Sequence, residues 1–293
     1  MKNFLSAGAV CCAAALGSGC VIVDSQGQIV REEKRFTITG RPQLQLTTFD
    51  GSIEIRPGDD KSIVVEIEKR GPSREALDKL EVETKQDGNR ITVNVKKPSG
   101  ETIVFGIGHL TPTASLIVTM PRDGDVVAKS GDGSIRAERI QGKLDLRTGD
   151  GSIKATELGG QLTLNSGDGS IALESATGTV DIDTGDGSVS VSGKLDAVKV
   201  HTGDGSVTLR AEPGTRMTDD WSITTGDGGV VVNLPSDFGA QIDASTGDGS
   251  IYSDLPITTE GASEKRAIRG RLGAGGKLLH IRTGDGSIRL RVS

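Results

Sequence analysis

The chain has 293 residues, with 42 glycines, a formal net charge of −6 and only 2% aromatic residues. So few aromatic rings exclude a globular core built around Phe, Tyr and Trp, and they leave little for sugar-stacking or base-stacking sites. The acidic balance disfavours a phosphate-backbone partner, so nucleic acid is not expected.

The first 20 residues read as a signal segment. Lys2 supplies a short positive start, and Phe4 to Leu16 is uncharged and too short to span a bilayer comfortably. Leu16-Gly17-Ser18-Gly19-Cys20 resembles a bacterial lipoprotein cleavage site, which implies lipidation of Cys20 and attachment to a membrane. An ordinary secretory signal and an uncleaved anchor are the alternatives. The cysteines are Cys11, Cys12 and Cys20, so the region beyond them has no internal disulfide. Residues 21–35 are polar and charged after Val21-Ile22-Val23 and are expected to form a tether.

One domain is expected over 36–293. Strands are predicted around Phe36–Thr39, Leu44–Leu46, Ile53–Ile55 and Ile63–Ile67 from their alternation. A short capping helix is predicted near 73–80, started by Pro72-Ser73 and carrying Ala76, Leu77 and Leu80 on one face. Strands at Ile91–Val95, Leu116–Thr119 and Asp125–Lys129 follow, and an irregular cap is assigned to 59–120. Within it, 97–113 is a loop carrying Ile103, Val104, Phe105 and Ile107.

From 128 to 210 a phrase recurs: Ser/Thr-Gly-Asp-Gly-Ser-Ile/Val, centred on Asp132, Asp150, Asp168, Asp186 and Asp204, a constant step of 18 residues. Aliphatic residues recur in columns: Ile135, Ile153, Ile171, Val189, Val207, and again Leu146, Leu164, Ile182, Val200. Each 18-residue unit therefore holds two short alternating strands and two turns. A single unit buries aliphatics worth about 10 kcal/mol at most, and ordering its 18 residues costs at least that much, so neighbours must stack on it. The prediction is an all-β fold, a β-solenoid with 18-residue coils. An antiparallel meander with Asp-Gly hairpins also explains each turn, but not the doubled period.

In 211–293 the phrase persists at Asp227, Asp248 and Asp285, with insertions at 211–220 and 256–277. The basic, Gly-rich stretch 260–277 is expected to be a flexible loop. The alternation Ile288-Arg289-Leu290-Arg291-Val292 predicts a last strand whose arginines guard the final edge.

The repeated Gly-Asp-Gly is read first as a corner, with glycines permitting positive φ. A weaker reading makes Asp132, Asp150, Asp168, Asp186 and Asp204 Ca²⁺ ligands, because stacked carboxylates repel. No catalytic residues and no cofactor are assigned. His109, His201 and His280 lack ligand spacing, with His201 and His280 in outward slots, and no nucleophile, zinc or phosphate-loop signature is present.

The coil Ser/Thr-Gly-Asp-Gly-Ser-Ile…Leu-x-Leu behind a signal segment resembles the bacterial adhesin-like DUF4097 family, whose domains have no characterised function. The resemblance covers about 36–293 and implies an extracytoplasmic β-solenoid. Three functional readings are carried forward. The first is a non-enzymatic cell-envelope solenoid presenting a repetitive surface to an envelope protein or polymer. The second is an envelope-stress or scaffold protein docking a membrane partner. The third is a polysaccharide-active β-helix enzyme. Specific recognition is expected where the rhythm breaks, at 97–113, 211–220 and 256–277.

Overall fold

The structure, a computed structural model, describes residues 20–24, 27–59, 61–97, 111–259 and 265–293. The signal segment 1–19, the loop 98–110 with Phe105 and His109, and 260–264 lie outside the described residues. Twenty-four strands are joined in one sheet, with one short helix among the described residues.

The alternation of each repeat forces the architecture. Inward aliphatics need cover on both faces of a coil, and the next coil supplies it. On one face Ile135 pairs in parallel with Ile153, Ile153 with Ile171, Ile171 with Val189, and Val189 with Val207. On the other, Ala128, Leu146, Leu164, Ile182 and Val200 follow one another in register. The columns read from the sequence are thus neighbours in space. They form two parallel walls enclosing a narrow aliphatic core in which Ile135, Leu146, Ile153, Leu164 and Ile182 are almost fully buried. The fold is a β-solenoid. Antiparallel pairing is confined to segments flanking the stack, which removes the meander.

Chain order and spatial order part company at both ends. The first coil, Gln43–Thr48 and Ile53–Pro57, is not outermost. The coil made by Arg90–Lys96 and Thr113–Met120 pairs on its outer side, and Asp125–Ser130 and Ile135–Glu138 pair on its inner side. The region 59–120 therefore contributes a coil to the stack as well as cover. At the other end, Leu278–Thr283 and Ile288–Val292 lie between the coil Trp221–Thr225/Val230–Leu234 and the coil Ala240–Thr246/Ile251–Ser253. The expectation that Ile288–Val292 closes the array is overturned. Arg289 and Arg291 flank an internal strand, and the outermost parallel strands come from 240–253.

Two further expectations are corrected. Residues 21–35 are not a free tether: Cys20–Asp24 and Gly27–Thr37 are strands, and Gln28–Thr37 pairs antiparallel with Ser62–Gly71. Charge complementarity holds them there. Lys69, only 7% exposed, meets Glu32 at 2.9 Å and donates to the Leu80 carbonyl, and Arg31 meets Glu68 at 2.7 Å. The stretch 260–277 is not simply a loop. Ala267–Leu272 pairs antiparallel with Ala240–Thr246 and with Ile257–Thr259, so it covers an edge that would otherwise be open.

The helix is Arg74–Asp78, N-capped by Ser73, whose hydroxyl accepts from the Ala76 N–H. Leu77 and Leu80 are buried, and Leu77 packs so closely on Gly71 that a Cβ there would come within 2.8 Å of it.

Candidate functional site

The two corners of each coil solve different problems. At the corner joining the inward Leu-x-Leu wall to the next Ile-containing wall stands Ser/Thr-Gly-Asp-Gly. Its glycines do not take positive φ, contrary to expectation. They are required by space. A Cβ on Gly169 would fall 2.1 Å from the Gly151 carbonyl oxygen, and one on Gly187 would fall 2.2 Å from that of Gly169. Successive corners approach closer than any side chain allows. Positive φ occurs at the opposite corner instead, at Arg139, Glu157 and Ser175 and at Gly142, Gly160 and Gly178.

The hydroxyl that opens each phrase ties the corners together. Thr148 donates to the Gly133 carbonyl, Ser166 to Gly151, Thr184 to Gly169 and Thr202 to Gly187, at 2.8–3.0 Å. Thr225, Thr283 and Thr246 continue the series. Thr202 is fully buried and also accepts from the Gly205 N–H. Replacing it with Val keeps the volume but leaves the Gly187 carbonyl and that amide short of a partner. Thr202→Val is expected to cost about 2 kcal/mol in urea unfolding, whereas Thr208→Val, on an exposed position, is expected to cost almost nothing.

The carboxylates point outward. Asp132, Asp150, Asp168, Asp186, Asp204, Asp227 and Asp285 are all exposed, one per coil, in a single ridge running along the stack. Each oxygen sits over the next coil's first glycine: Cβ positions on Gly149, Gly167, Gly185 and Gly203 would lie 3.3–3.6 Å from the preceding Asp Oδ1. Neighbours about 4.8 Å apart repel by roughly 1 kcal/mol even in water. The ridge ends are neutralised, Asp50 by Lys97 at 2.6 Å and Asp248 by Arg266 at 3.0 Å. Among the described residues none of the seven between them has an ion pair. Each coil offers one carboxylate at the corner, and among the described residues no group of three or more His, Cys, Asp or Glu is arranged to hold a metal ion.

The histidines are scattered. His201 contacts the Thr224 hydroxyl at 3.0 Å and His280 lies 3.5 Å from Asp243. Cys20 opens the first strand.

At the positive-φ corner one carboxylate is strongly held. Asp125 accepts from the Lys143 backbone N–H at 3.0 Å and from Arg41 at 2.8 Å, and these bonds lower its pKa below the ordinary carboxylate value. A lowered folded-state pKa stabilises the fold above the unfolded value, and that contribution fades as pH falls through the folded one. Asp125→Asn is therefore expected to destabilise at neutral pH and to flatten the acid limb of a melting-temperature-versus-pH profile. An unchanged acid limb would contradict this.

An opening lies where the rhythm breaks. Segments 214–217, 237–239 and 275–277 surround a cavity of about 580 Å³. Two of the three segments belong to the insertions singled out in the sequence. The contribution of Asp237 to Gly239 carried no signal, because it is a short link between ordinary strands.

A solenoid of parallel walls with corner glycines in van der Waals contact defines a class of stacked-repeat proteins. The family model described as "Toastrack DUF4097" matches residues 42–291, and the chain belongs to that family. Among solved structures it is similar to a protein from Clostridium sporogenes described provisionally as a cell adhesion protein (14% identity, TM-score 0.30, covering 90% of this chain and 100% of that one). It is also similar to one from Bacteroides fragilis described provisionally as an adhesin (11%, 0.44, 89% and 96%). A third, from Parabacteroides distasonis, is described provisionally as a lipid binding protein (14%, 0.46, 89% and 96%). No curated protein matches. Among the described residues no helix is long and apolar enough to cross a membrane.

Proposed function

We propose that the protein is a non-enzymatic, extracytoplasmic solenoid of 18-residue coils, tethered to a membrane through a lipid on Cys20, that presents a repetitive adhesive surface to an envelope protein or polymer. The observation that carries this reading is the acidic ridge. Seven like charges in line cost stability and contribute nothing to the core, and they are left bare while the flanking Asp50 and Asp248 are neutralised. A surface maintained at such a cost is suited to a partner that brings complementary positive charge at many points along its length.

The test is a pull-down from envelope extract with the wild-type chain and with a variant carrying Asn at Asp132, Asp150, Asp168, Asp186, Asp204, Asp227 and Asp285. The wild type is expected to retain a salt-sensitive partner that the variant loses, while the variant melts at a higher temperature because repulsion is relieved. An identical set of retained partners would overturn the ridge as the binding surface. Lipid attachment is tested separately: metabolic palmitate labelling is expected for the wild type and not for Cys20→Ala.

A further inference from the structure

The 580 Å³ cavity carries two cations and one acid on its lining, in a chain of net charge −6. It opens at the corner opposite the acidic ridge, among the segments that link Val207–Ala211 to Trp221–Thr225, Val230–Leu234 to Ala240–Thr246, and Ala267–Leu272 to Leu278–Thr283. Arg216 and Lys277 line it, both exposed. Arg271 runs beside it: a Cβ on Gly275 would lie 3.0 Å from the Arg271 Cδ. Among the described residues none of these three cations has an ion pair, whereas the nearby Arg266 and Arg269 are satisfied by Asp248 and Asp243.

The walls are set by glycine. Gly273, Gly275 and Gly276 have φ of 56°, 78° and 142°, and the Gly275 N–H donates to the Leu272 carbonyl, so the turn is fixed yet sends no side chain into the opening. Phe238, 3% exposed and 5.5 Å from the Trp221 ring, gives a firm apolar floor. Asp237 adds one acceptor on the lining.

We propose that this cavity binds a carboxylated sugar unit of an acidic polysaccharide. Unpaired guanidinium and ammonium groups recognise the carboxylate, Arg216 having the fork geometry for two parallel hydrogen bonds. Asp237 would repel a ligand that is purely anionic and favours one that carries hydroxyl donors beside its charge. The volume falls within the range of small-ligand sites, and the opening at a surface corner lets a polymer enter and leave. The site is separate from the acidic ridge, so either can fail without the other.

The probe is oligogalacturonate, titrated calorimetrically into the full chain at low salt. Saturable binding is expected, weakened at least about tenfold by Arg216→Ser/Lys277→Ser. It is expected to be unchanged by Arg136→Ser/Lys154→Ser, which removes equal charge from the regular coils. Asp237→Asn is expected to weaken oligogalacturonate but not poly-glutamate. Absence of wild-type binding, equal weakening by the control pair, or equal affinity for poly-glutamate would each overturn the proposal. The melting temperatures of the variants are expected to match the wild type, because all the substituted side chains are exposed.

Discussion

Truncation after Lys277 is expected to cost the protein far more than the loss of one coil. The removed residues include Leu279, Ile281, Ile288 and Leu290, all fully buried, worth on the order of 8 kcal/mol of apolar burial. They stand between two coils, so their removal strips both neighbours. Trp221, Ile223, Val230 and Val232 lose their cover on one side, and Ala240–Thr246 keeps only its antiparallel partner Ala267–Leu272. Residues 240–277 are expected to lose amide-exchange protection entirely, with the chain self-associating through the bared edge. Coils near 135–200 are expected to retain protection, since stacked repeats depend mainly on their neighbours. A truncated chain with wild-type protection at 240–246 would show that this coil docks without its inserted partner.

The second large effect concerns a single methyl group. Gly187→Ala is expected to destabilise by about 3 kcal/mol, because the new Cβ would collide with backbone, the Gly169 carbonyl and the Ser170 nitrogen, rather than with a yielding side chain. Gly88→Ala is the comparison. Gly88 sits in a hairpin at φ 59° with nothing within 4 Å, so only the left-handed conformation is penalised, about 1 kcal/mol. If space is what the corner glycines provide, the open-space glycine must be the milder loss in urea unfolding. Equal costs would return the explanation to backbone conformation.

That contrast also marks how far the sequence could be read. The columns Ile135–Val207 and Leu146–Val200 were legible because a constant step makes equivalent residues neighbours. The helix was legible because Ser73 and the Leu77/Leu80 face are local signals. What stacks above a glycine is not local, so the phrase identified a corner without revealing why glycine occupies it. The same blindness hid the intercalated ends. The pairing of Val230 with Ile288 crosses an entire further coil and a hairpin, and no periodicity announces it. It also hid the strand at Gln28–Thr37, where the charges that suggested a solvated tether turn out to pair across to Glu68 and Lys69. As for the cation-lined cavity, Arg216 and Lys277 were visible inside separate insertions, and only the fold places them around one opening.

The buried position of the first and last coils has a consequence for how this protein can vary. An open stack can be lengthened at either terminus, one unit at a time, because its final coil offers a ready template. Here the first and last coils in chain order, 43–57 and 278–292, are locked inside the array, and the outermost coils are built from 90–120 and 240–253. Growth by adding units at an end is therefore blocked. New units are accommodated only in the middle, where the corner and hydroxyl pattern between Asp132 and Asp204 is uniform enough to accept one more without disturbing either lock. Duplication of Ser166–Asp183 is expected to give a folded, longer rod, whereas appending the same segment after Ser293 is expected to leave it unstacked, a difference that small-angle scattering would read directly as length.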